Sequence, residues 1–70
     1  MKNNELKMLL YQDATQDDIE GILSSLRCLL PHSPVIDAYG GTIKVRLKDF
    51  QYSFNAYSQT YNVFVIGAIL

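Results

Sequence analysis

Val35-Ile36-Asp37-Ala38-Tyr39-Gly40-Gly41-Thr42-Ile43-Lys44-Val45-Arg46-Leu47 is the stretch whose reading decides the fold. Two runs rich in β-branched residues flank a Gly-Gly pair, the dipeptide that accepts positive φ at both centres of a two-residue hairpin turn. With Tyr39 facing Thr42, Ile36 and Ala38 share one face with Ile43 and Val45, while Asp37 lies across from Lys44 on the other. A single register therefore yields an apolar face and a polar one.

Downstream, Lys48-Asp49 reads as a second tight turn that sets Leu47 opposite Phe50, Val45 opposite Tyr52 and Ile43 opposite Phe54. The reverse side then carries Thr42, Lys44 and Arg46 against Gln51, Ser53 and Asn55. A third turn around Tyr57-Ser58-Gln59-Thr60 leads into a last strand over residues 61–69.

Upstream, Ile19, Ile22, Leu23, Leu26, Leu29 and Leu30 recur at helical spacing, which predicts an amphipathic helix over residues 16–30. Thr15 and Asp18 form a variant of the capping box, and Asp17, Asp18 and Glu20 put negative charge where the helix dipole favours it. Pro31 and Pro34 end the helix. Residues 6–11 read as a strand with Leu6, Met8 and Leu10 on one face, or as a short helix capped by Asn3 or Asn4; the strand is preferred. The expected fold is α+β: one amphipathic helix packed on an antiparallel β-meander of three to five strands, in βαββββ order if residues 6–11 form a strand.

A chain of 70 residues and 7.9 kDa has room for one compact domain, residues 1–70. Hydrophobic residues make up 49% and charged residues 19%, and the formal net charge is -1, an ordinary globular composition. The near-neutral charge argues against a general polyanion binder and against a wholesale nucleic-acid mimic. With one cysteine no intramolecular disulfide can form, so packing or self-association must stabilise the small core, which fits a reducing cytoplasm. The polar opening Met1-Lys2-Asn3-Asn4-Glu5 does not resemble a signal peptide, and the apolar run over residues 63–70 is too short for a membrane-spanning helix, which needs roughly 20 residues. A cytoplasmic protein without a membrane partner is expected.

Chemistry is hard to place on these residues. Cys28 and the only histidine, His32, flank the helix end closely enough to suggest a small hydrolase, but without a defining motif they read as incidental surface residues. Asp13, Asp17, Asp18, His32 and Asp37 lack the spacings of zinc or calcium ligands, and Gly40-Gly41 lacks the following helix and lysine of a phosphate loop. No catalysis, metal or cofactor is expected.

Surfaces are more informative. In the last strand Val63, Val65 and Ile69 serve one face, while Phe64, Ile66, Ala68 and Leu70 occupy the other, and a strand apolar on both sides is normally buried on both. One helix cannot cover two sides of a sheet, so Phe64 and Ile66 need a second cover: the N-terminal segment through Leu9 and Tyr11, if that segment is a helix lying there, or another protein chain, which is the expectation. Opposite the leucine stripe of the helix lie small residues, among them Gly21, Ser25 and Cys28, a second candidate contact face. The expectation is a non-catalytic protein-binding module, working as a homodimer. Read as complete from its initiator Met, the chain has the size and style of phage or mobile-element accessory proteins, including stoichiometric inhibitors of the anti-CRISPR kind. The alternative from another class is a nucleic-acid-binding regulator that uses Lys44, Arg46 and Lys48, which alternate along one strand.

Overall fold

The computed structural model describes residues 4–70. The elements run β1 (Glu5–Ala14), α1 (Gln16–Leu29), a single 3-10 turn (Leu30–His32), β2 (Val35–Ala38), β3 (Ile43–Asn55) and β4 (Thr60–Ile69). The four strands form one antiparallel sheet in the order β1-β4-β3-β2, with α1 against one face, an α+β arrangement. Residues 6–11 are strand, which removes the helical alternative for that segment.

Local chemistry explains α1 and its flanks. The Thr15 hydroxyl accepts a hydrogen bond from Asp18 N at 3.2 Å, and Asp17 and Asp18 occupy the first turn. Pro31 cannot continue the α-helical hydrogen bonding, so the chain tightens into the 3-10 turn and leaves it through Ser33 at φ 50°. The β2–β3 hairpin has the expected register: Ile36 faces Val45, Asp37 faces Lys44 and Ala38 faces Ile43. Gly40 and Gly41 take φ values of 69° and 84°, the conformation that a two-residue turn of this hand demands.

Two expectations fail at Lys48-Asp49. There is no turn there: β3 continues through to Asn55, so the order is βαβββ with one strand fewer than the five of βαββββ. Leu47 faces Gly67 and Asp49 faces Ile66, so Lys48 is the extra residue of a β-bulge. Phe50, Tyr52 and Phe54 accordingly face Val65, Val63 and Tyr61 on β4, not Leu47, Val45 and Ile43. The bulge shifts the side-chain phase by one, so both apolar sets still fall on the helix side. The third turn does connect two strands, with Asn55 Oδ1 accepting from Tyr57 N at 2.9 Å and Ser58 N at 3.4 Å.

The core lies between α1 and this face. Ile19, Leu23 and Leu26 from the helix meet Val45, Leu47, Val63 and Val65 from the central strands, and Val45, Val63 and Val65 are each 2% exposed or less. Full burial of one such side chain contributes about 1.5–3 kcal/mol. The start of α1 is fastened to the sheet: Tyr61 Oη donates to Gln16 Oε1 at 2.9 Å, and Asp13 N donates to Asn62 Oδ1 at 3.1 Å.

The radius of gyration, 13.0 Å, exceeds the value of about 11 Å expected for a chain of this length, and the longest axis is 36 Å. Four strands spaced about 4.8 Å apart are nearly twice as wide as one helix of about 10 Å diameter, so α1 covers roughly half of its face. Beside it Leu10 and Tyr11 stay exposed on the β1 side, whereas Ala38 of β2 is buried and Met8 of β1 and Ile36 of β2 line a common pocket of about 350 Å³.

Candidate functional site

One uncovered flank is the β1 side. Between β1 and α1 runs a groove of about 730 Å³, lined by Leu10, Tyr11, Ile22, Ser25, Leu26 and Leu29 and closed at the helix start by Asp13, Asp17 and Asp18. β1 is an edge strand, and its centre carries three consecutive apolar residues with little cover: Leu9 is 51%, Leu10 44% and Tyr11 49% exposed. Leu9 pairs with Phe64 on the face away from the helix, whereas Leu10 and Tyr11 line the groove on the helix side. The edge is thus apolar in both directions. From the sequence, Leu9 and Tyr11 read as candidate cover for Phe64 and Ile66 and Leu10 as part of a strand face, not as a contact surface, although the signal is the one read in the last strand, apolar side chains with no alternation.

Of the surface residues expected from the sequence, Phe64 and Ile66 do lie on the face opposite the helix, but they are half-buried. Their own neighbours supply the cover. Lys7 Nζ sits 4.7 Å from the Phe64 ring centroid, Gln51 lies across from Phe64, and Asp49 lies across from Ile66. Gly21 and Ser25 border the β1 groove, so the small-residue face of the helix and the apolar edge belong to one surface. A Cβ added at Gly21 would meet nothing within 4 Å, so this chain itself does not need a glycine there. Cys28 is exposed and shares a shallow depression with Ser24, Ser25, Leu29 and His32. Among the described residues no group of three His, Cys, Asp or Glu side chains is placed to hold a metal ion.

The three cations of the basic strand are engaged by their own chain. Lys44 Nζ is 3.5 Å from Asp37 Oδ1, Lys48 Nζ is 3.9 Å from Glu5 Oε2, and Arg46 Nη1 donates to Ser33 O at 3.5 Å. Exposed pairs of this kind add little stability, but each carboxylate offsets the positive field that phosphate would require. On the other flank of α1, Tyr52 and Phe54 are 50% and 55% exposed where the β3–β4 hairpin extends past the helix, and Arg27 lies 5.8 Å from the Phe50 ring centroid. Tyr61 packs against both, with ring centroids 6.2 Å from Tyr52 and 5.0 Å from Phe54.

Comparison with protein-family models, with curated proteins and with solved structures gave no match. Among the described residues no helix is long and apolar enough to cross a membrane. The arrangement of side chains is therefore what carries a functional reading.

Proposed function

We propose that this chain is a non-catalytic protein-binding module that self-associates as a homodimer and acts stoichiometrically, by covering a surface rather than turning over a substrate. The observation that supports it is the exposed run Leu9-Leu10-Tyr11 on an open strand edge, continuous with the apolar groove beside α1. Apolar surface of this kind is favourable to bury and marks interaction sites. Phe64 and Ile66, flanked by Leu9, extend the same edge onto the opposite face, and Gly21, Ser25 and Cys28 extend it along the helix. In a cytoplasmic setting, a phage or mobile-element accessory role as an inhibitor of the anti-CRISPR kind fits this mode of action.

Sedimentation across protein concentration at low and high salt tests the reading. Apolar association holds or strengthens as the Debye length falls from about 10 Å at 0.1 M to about 3 Å at 1 M. Binding through Lys44, Arg46 and Lys48 to a labelled single-stranded oligonucleotide would weaken steeply over the same range. A chain that stays monomeric yet retains the oligonucleotide at low salt would replace the first reading with the nucleic-acid one.

A further inference from the structure

We infer that two copies of this chain pair along the open edge of β1, antiparallel and centred on Met8. The two four-stranded sheets then become one continuous sheet with both helices on the same face. This rests on the self-association proposed above and names the surface that it uses.

The backbone sets which groups are on offer. Asn4 O accepts from Ile69 N at 2.8 Å, and in an antiparallel pair alternate residues turn both backbone groups the same way. Asn4, Leu6 and Met8 therefore address β4, while Lys7 and Leu9 turn theirs to the open side of β1. Symmetric registers centred on Leu6, Lys7, Met8 or Leu9 all use those outward groups, and they differ in what they set face to face. Centring on Lys7 opposes two ammonium groups, and like charges directly across a sheet are destabilising. Centring on Leu9 runs the pairing through the irregularities of β1 between Leu9 and Tyr11 and between Tyr11 and Ala14. Centring on Leu6 sets Lys7 against Glu5 but leaves Leu9, Leu10 and Tyr11 outside the pair. Centring on Met8 sets Met8 against its counterpart on the helix side and Lys7 against Leu9 on the other, and it brings Leu6 to Leu10, the extra residue where β1 bulges. Of these registers, that one alone takes up Leu9 and Leu10 without opposing like charges.

The surface area and the second edge point the same way. The accessible surface is 5054 Å², against about 4400 Å² expected for a folded monomer of this mass. The excess is comparable to the roughly 800 Å² that each partner gives to a standard interface. A two-fold pairing consumes β1 in both copies and closes, which leaves only β2 at the outer edges, a four-residue strand carrying Asp37. On the helix side the two grooves merge into a trough between the helices, filled by Leu10, Tyr11 and Leu29 of both copies.

The test is disulfide trapping in a Cys28→Ser background. Residues facing each other at a non-hydrogen-bonded antiparallel position have Cα atoms about 4.5 Å apart, within disulfide range. Met8→Cys should therefore oxidise to a covalent dimer of twice 7.9 kDa, while Gln51→Cys, beside Phe64, should stay monomeric under denaturing conditions. Met8 is half-buried, so a second variant removes dependence on its packing: Leu10→Lys should raise the dimer dissociation constant at least about tenfold, with an unchanged circular dichroism spectrum. A dimer that cross-links through Gln51→Cys and not Met8→Cys, or that is unaffected by Leu10→Lys, overturns the β1 pairing while leaving self-association standing. A wild-type chain that is monomeric at every concentration overturns both.

Discussion

The two edges of the sheet differ in each property that governs strand pairing. β1 spans ten residues and exposes Leu9, Leu10 and Tyr11; β2 spans four, carries Asp37 paired with Lys44, and is bounded by Pro34 and a glycine turn. Natural sheets blunt their edges with short strands, charges and prolines, and β2 has all three. β1 has Lys7, whose ammonium lies over the Phe64 ring instead of guarding the edge, and no charge from Met8 to Gln12. The contrast teaches that edge protection is present in this chain and is withheld from one strand. That asymmetry directs association to a single edge.

The largest expected effect removes the platform on which both edges rest. A methyl group at Gly67 would collide with the Val45 side chain and come within 2.9 Å of Arg46 O, where β3 crosses onto β4. Gly67→Ala should cost about 3 kcal/mol in chemical denaturation. An unchanged midpoint would mean that β3 and β4 are not so closely apposed. Next in size, Leu10→Lys and Val35→Lys place the same charge on opposite edges. Dimer dissociation should rise at least about tenfold for the first, a free-energy change of about 1.4 kcal/mol, and stay within about twofold for the second. Equal effects would erase the distinction between the edges.

Two helix substitutions sharpen the comparison at about 1 kcal/mol each. Thr15→Ala removes the acceptor of Asp18 N and should lower thermal stability by that amount in monomer and dimer alike, since the cap lies inside one chain. Gly21→Ala should raise the stability of the monomer by up to about 1 kcal/mol, because the site is helical and its surroundings are open. If Gly21 lines the trough between two helices, dimer affinity moves separately from monomer stability. The smallest effect belongs to Asp37→Asn, which breaks the exposed pair with Lys44 and should shift stability by less than about 0.5 kcal/mol.

What the sequence discloses follows from how local each signal is. The helix, its Thr15 cap and the Gly40-Gly41 hairpin are written in side-chain period and backbone demand within a few residues, and each stands where expected. Lys48-Asp49 misleads because a two-residue turn and a one-residue bulge shift the apolar phase in the same way, from Ile43, Val45 and Leu47 to Phe50, Tyr52 and Phe54. A physical criterion separates them: neither Lys48 nor Asp49 has a positive φ, and neither is the glycine or asparagine that a turn of this kind prefers. The surface was less legible still. Burial on the far face depends on which strands flank β4, and placing β1 beside it brings Lys7 and Leu9 over Phe64 and Ile66. That same placement turns β1 outward and makes its own apolar run the most exposed edge of the molecule.

Sedimentation equilibrium of the wild-type chain over a wide concentration range addresses the central claim most directly. The weight-average mass should climb from 7.9 kDa toward twice that value and level off there, with little response to added salt. A mass that stays at 7.9 kDa throughout, or one that keeps climbing past the dimer, would contradict a single self-complementary edge.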